Sequence, residues 1–202
     1  MPISEPRESL SEHRDLADRI LDAAGRLVLS VGARKLSLSD VATLAGVSRP
    51  TIYRYFVSKE ELIDSLGARI RRRFDAAMER AMEGVTGLAR WESAVDVVVA
   101  FLQDQPPGRQ LDLDPGFSHG QTARALPMIT QKLAVVLQQC VREDGFDRAL
   151  SPQDLAGAVA RVALSHYIFP DVDPAASRRE IRAAAGFSGR TSRSDISIRR
   201  TR

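Results

Sequence analysis

The chain has 202 residues, of which 44% are hydrophobic and 27% charged, which places it among ordinary globular proteins and outside the disordered class. One cysteine, Cys140, excludes an intramolecular disulfide, no Cys/His group has zinc spacing, and no apolar run approaches the ~20 residues that span a bilayer. The net charge of +3 is unevenly placed. Arg34 to Lys59 holds five bases against Asp40 alone, and Gly186 to Arg202 holds five arginines against Asp195 alone. Such local concentration is the electrostatic footprint of a nucleic-acid site.

Residues 1–13 read as a polar, mobile lead without the apolar core of a secretory signal, so a cytoplasmic location without a membrane partner is expected. Leu16, Ile20, Ala23, Ala24, Leu27 and Val31 recur at helical spacing, predicting a first helix over about 14–31 that Gly32 stops. Ser37 caps a short second helix carrying Val41, Ala42, Leu44 and Ala45, ended by Gly46. Ser48 caps a third, with Pro50 tolerated in its first turn. Ser58-Lys59-Glu60-Glu61 is a capping box that opens a long connecting helix, 58–82.

Gly84 to Gly87 marks a domain boundary. Trp91 to Leu102 suggests a fifth helix, and 104–116, with three prolines and two glycines, a loop or disordered lid. Leu126 to Val141, Pro152 to Phe169 and Arg178 to Ala185 complete the helices, and 186–202 reads as a basic, disordered tail. No period-2 alternation occurs. The predicted class is all-α: an N-terminal three-helix helix-turn-helix domain at 14–57, the connecting helix, and a C-terminal helical ligand-binding and dimerisation domain at 83–185.

The two short helices on either side of Gly46 carry the functional signal. A helix fits the major groove, and Arg49, Thr51 and Arg54 are expected on the outer face of the second one. Arginine can bond two acceptors of guanine, and a threonine methyl suits thymine. Tyr53, Tyr55 and Lys59 supply donors for phosphates at the margin. Phe56 is assigned to the core, while Tyr53 fits either core or phosphate contact.

Ser37-Leu38-Ser39-Asp40-Val41-Ala42, Ala45-Gly46-Val47-Ser48-Arg49-Pro50-Thr51-Ile52-Tyr53-Arg54-Tyr55-Phe56 and Ser58-Lys59-Glu60-Glu61-Leu62 resemble the TetR family of bacterial transcriptional regulators. The resemblance covers about Leu16 to Leu66. It implies phosphate contacts from Ser39, Tyr53, Tyr55 and Lys59, and base-facing positions for Arg49, Pro50, Thr51 and Arg54, with Ser48 beside them. It also implies a variable helical domain that binds a ligand and whose last two helices pair into a homodimer. From this chain's short final helix and arginine-rich tail, the sequence departs from that layout at its end.

The expected function is therefore a repressor that binds a pseudo-palindromic operator in double-stranded DNA and is released by a small molecule, lipophilic chemistry being preferred. Trp91, Phe101, Phe117, Met128, His166 and Tyr167 are the candidate ligand residues, with plain core packing the competing reading for each. For dimerisation, the small residues Ala156, Gly157, Ala160 and Ala163 with Val159 and Val162 suggest a close helix–helix patch. An activator, or a DNA-binding factor regulated by a protein instead of a small molecule, is the alternative. No nucleophile, metal or carboxylate-pair motif supports an enzyme, and no cofactor is expected.

Overall fold

The computed structural model describes residues 5–104, 113–144, 150–169 and 173–187, and all regular structure among them is helical. The helices are α1 Glu5–Val31, α2 Leu38–Ala45, α3 Arg49–Tyr55, α4 Lys59–Met82, α5 Gly87–Gln103, α6 Pro115–Asp144, α7 Pro152–Ile168 and α8 Pro174–Ala184. They form two compact units, Met1–Arg80 with Gly108–Thr122, and Ala81–Pro107 with Ala123–Arg202.

In the first unit α1 packs on α2 and α2 on α3. Ile20, Ala23, Ala24 and Val28 of α1 meet Val41 and Ala42 of α2, Ile52 of α3 and Leu62 and Leu66 of α4 in one apolar core. Ala42 is small where helices cross, and a buried Phe56 closes the cluster. Each junction is set locally. Gly32 and Gly46 take the left-handed conformation (φ 84° and 67°) that ends α1 and α2. Ser37 Oγ accepts the Asp40 N–H, Ser48 Oγ that of Thr51, and Ser58 Oγ that of Glu61, whose carboxylate returns to the Val57 N–H.

In the second unit α8 packs on α5 and α7, and α7 on α5. Trp91, Val95 and Val98 of α5, Leu133 and Leu137 of α6, Val159 of α7 and Ile181 of α8 are fully buried. The Trp91 indole N–H donates to Ala185 O at 3.0 Å. Arg182 of α8 pairs with Glu92 and Asp96 of α5. Glu143 and Asp144, closing α6, accept the N–H groups of Gly87 and Leu88 at the start of α5. Those bonds need a glycine: at Gly87 φ is +54°, and a Cβ would overlap the Asp144 carboxylate.

Four expectations change. Helix α1 starts at Glu5, ahead of Arg14, because Pro6 is compatible with a first turn and Glu, Arg and Leu follow it. Helix α6 starts at Pro115, inside the expected loop, and runs through Pro127. The Asp114 carboxylate accepts the Phe117 N–H and so caps that start. The small-residue stripe of α7 is no free surface: Ala156, Val159, Ala160 and Ala163 are 0% exposed within a single chain. The final helix begins at Pro174, capped by Asp173. The remainder of the expected loop, 105–112, and the tail beyond 187 lie outside the described residues.

Candidate nucleic-acid interface

Helix α3 has two faces set by helical spacing. Ile52 and the following Phe56 are buried, while Arg49, Pro50, Tyr53 and Arg54 are exposed. Tyr53, with either role open from sequence, is 54% exposed and stands on the outer face. Ser48 caps the helix, and its hydroxyl also meets that of Thr51 at 2.7 Å. The Thr51 hydroxyl is thereby turned toward its own helix cap. Arg34 and Lys35, just ahead of α2, are also exposed. A short helix thus presents two guanidiniums and a phenol on a rigid apolar footing.

The expected phosphate donors are placed around this face. Ser39 lies in the first turn of α2, half-buried. Tyr55 ends α3, half-buried, its hydroxyl 2.7 Å from His13 Nδ1 and its ring stacked on the imidazole with centroids 4.3 Å apart. The Arg54 guanidinium lies 5.7 Å from the same tyrosine ring. Lys59 opens α4 and gives one of its three donors to Arg34 O at 2.7 Å. It borders an open cleft of ≈ 360 Å³ with Arg34, Ile63, Asp114 and Phe117. The Asp114 carboxylate there accepts the Arg34 N–H at 2.9 Å.

The six candidate ligand residues do not form one group. Phe117 belongs to the first unit and packs on its apolar core. Trp91 is 0% exposed and hydrogen-bonded, a core residue of the second unit. His166 Nε2 lies 3.3 Å from Glu180 Oε2, joining α7 to α8. Phe101, Met128 and Tyr167 are half-buried in the second unit, and burial pushes the Tyr167 phenol above its ordinary pKa. Cys140 is buried, donates to Gly87 O, and is pushed up by that burial.

Residues 20–66 match the family model described as bacterial regulatory proteins, tetR family. Over that stretch the chain is similar to the helix-turn-helix segment of TetR-family regulators. An HTH-type transcriptional regulator of Haemophilus influenzae is 38% identical over 66 residues, covering 33% of this chain and 35% of that protein. The chain thus matches about a third of that relative's length. The nucleoid occlusion factor SlmA of a Marinomonas strain is 27% identical over 146 residues, 70% of this chain and 74% of its own. Among solved structures, a TetR-family transcriptional regulator from Haemophilus influenzae superposes with a TM-score of 0.62, covering 87% of this chain and 97% of its own at 22% identity. That likeness extends the fold beyond the matched domain.

Two contacts of the first unit are not legible from neighbouring sequence. Arg19 of α1 donates to Ala45 O at 2.9 Å, holding the carbonyl end of α2 where the turn begins. His13 sits within the expected polar lead, yet it is the stacking partner of Tyr55. Neither signal was local: each is a lone polar residue whose partner lies 26 or 42 positions away. No described helix is long and apolar enough to cross a membrane.

Proposed function

We propose that this chain is a TetR-type transcriptional repressor that binds a pseudo-palindromic DNA duplex as a homodimer and lets go when a small molecule binds. The observation that carries the reading is α3: Arg49, Pro50, Tyr53 and Arg54 are exposed on one face, while Ile52 on the other is fully buried. Ser39, Ser48, Thr51, Tyr55 and Lys59 complete the proposed DNA surface. Two recognition helices about 34–36 Å apart in a dimer reach successive major grooves. The dimer partner is met by the outer face of α7, where Ala158, Arg161, Val162 and Ser165 are at least partly exposed.

The second unit holds the ligand, with Phe101, Met128 and Tyr167 as its half-buried apolar wall. The signal travels along α4 and α6, which each contribute residues to both units. Just ahead of α6 the Asp114 carboxylate accepts the Arg34 N–H, which ties the helix start to the segment just ahead of α2. A ligand that favours one setting of these helices lowers operator affinity by its differential binding, about 5–150-fold for typical couplings.

Selection from a random duplex pool followed by binding assays tests the reading. Arg49→Ala should cost about 1–3 kcal/mol and relax base preference, whereas Lys59→Ala should weaken all duplexes alike and flatten the salt dependence. Retained discrimination in Arg49→Ala would refute this recognition face. A ligand found by thermal-shift screening must bind more weakly, by the same factor, when operator is present. Equal affinity with and without operator means that compound is not an inducer.

A further inference from the structure

His13 and Tyr55 form a stacked, hydrogen-bonded pair. It joins the first turns of α1 to the last residue of the recognition helix, at an exposed edge. We propose that His13 is itself a DNA-phosphate-binding residue, coupling proton uptake to duplex binding through Tyr55. This rests on the DNA-binding reading above.

The proton inventory of the pair gives the mechanism. With imidazole neutral and its proton on Nε2, Nδ1 is an acceptor and takes the Tyr55 hydroxyl proton. The phenol then has no proton left to offer a phosphate. With imidazole protonated, Nδ1–H donates to the Tyr55 oxygen, and the hydroxyl proton turns outward to a phosphate oxygen. Nε2–H remains as a second, charged donor. That phosphate lies no more than about 5.5 Å from Nδ1, two hydrogen bonds away. The neutral tautomer with its proton on Nδ1 would release the hydroxyl as well, but it lacks the charge and the Nε2–H donor, so a phosphate favours the protonated pair over either neutral tautomer.

Charges of both signs surround the pair. From α3 it is faced by Arg54, whose guanidinium lies over the Tyr55 ring. Along α1 the neighbouring charged residues in sequence are Glu12, Arg14 and Asp15, two acids and one base. A phosphate would offset the Arg54 charge and accept from both donors.

Because a phosphate contact carries no sequence information, any short duplex serves as probe. A labelled random-sequence duplex would be titrated by anisotropy at low salt, from about pH 7.5 to about pH 5.5. Wild-type affinity should rise about threefold on acidification, and calorimetry in two buffers of different ionisation enthalpy should show net proton uptake. His13→Gln should lose both effects, while His13→Lys should bind with little pH dependence and at high pH more tightly than wild type. Tyr55→Phe should keep less than the full slope. Circular dichroism of each variant confirms that α1 is intact. An unchanged slope in His13→Gln overturns the proposal, and an unchanged slope in Tyr55→Phe overturns the relay. A wild type that binds without pH dependence refutes His13 alone; one that binds no duplex at any pH refutes the DNA-binding reading as well.

Discussion

In the first unit the helix starts at α2, α3 and α4 are closed by Ser37, Ser48 and Ser58, each bonding an N–H three residues on. In the second unit α7 and α8 are capped locally too, by Ser151 and Asp173, but the start of α5 is closed by Glu143 and Asp144, which stand 56 positions away along the chain. Local closure makes each short helix nearly independent of distant sequence, so the proposed DNA-reading surface is fixed by its own neighbourhood. Remote closure makes α5 conditional on α6 being in place. The contrast separates helices whose starts are set by their nearest neighbours from one whose start depends on a distant helix.

Breaking the second kind of junction should cost more than breaking the first. The largest effect is expected from Ala160→Glu: a carboxylate forced into a fully buried site costs about 4 kcal/mol or more and should unfold the second unit outright. Urea unfolding followed by circular dichroism measures it, and a fully folded variant that had merely become monomeric would show that Ala160 faces a partner. Next, Gly87→Ala should lose about 2–3 kcal/mol, from the left-handed backbone and from displacement of the Asp144 carboxylate. The same melts should show Ser48→Ala costing only about 1 kcal/mol, the worth of one cap, with a matching loss of duplex affinity. Equal costs for Gly87→Ala and Ser48→Ala would remove the distinction drawn between the two kinds of closure. The smallest effect concerns Cys140. Burial raises its pKa, so the thiol stays protonated well above neutral pH, and alkylation in the folded protein should be at least about tenfold slower than for a free thiol.

The same division decides what could be read from sequence. Ser37, Ser48, Ser58, Gly32 and Gly46 announce helix ends with their nearest neighbours, and the outward placing of Arg49 and Arg54 followed from spacing, while Tyr53 stayed open between core and surface. The start of α6 had a local signal too, Asp114-Pro115 as cap and first-turn proline, but the prolines and glycines of 104–116 obscured it, and Pro127 looked like a more natural beginning. In α7, periodicity identified the small, apolar face correctly but not its partner. A stripe of Ala156, Ala160 and Ala163 fits a second copy and the protein's own core equally well, and in this structure the core takes it. The core position of Trp91 was hidden for a related reason: its indole N–H finds Ala185 O, 94 positions downstream. The His13–Tyr55 pair and the Arg19 bond were invisible because nothing in a lone residue names its distant partner.

Trp91 is the only tryptophan in the chain. Its indole, wholly enclosed and donating to a carbonyl of the last helix, gives the second unit a private optical label, while the first unit has only tyrosines. Excited selectively, it should emit at the blue end of the tryptophan range and resist quenching by iodide. Emission would then report packing around α5 and α8 without any attached dye. A compound that alters this emission has perturbed the second unit, whereas a duplex that alters it has sent its influence beyond the unit it contacts. One native chromophore can therefore follow communication in both directions, in the unmodified protein.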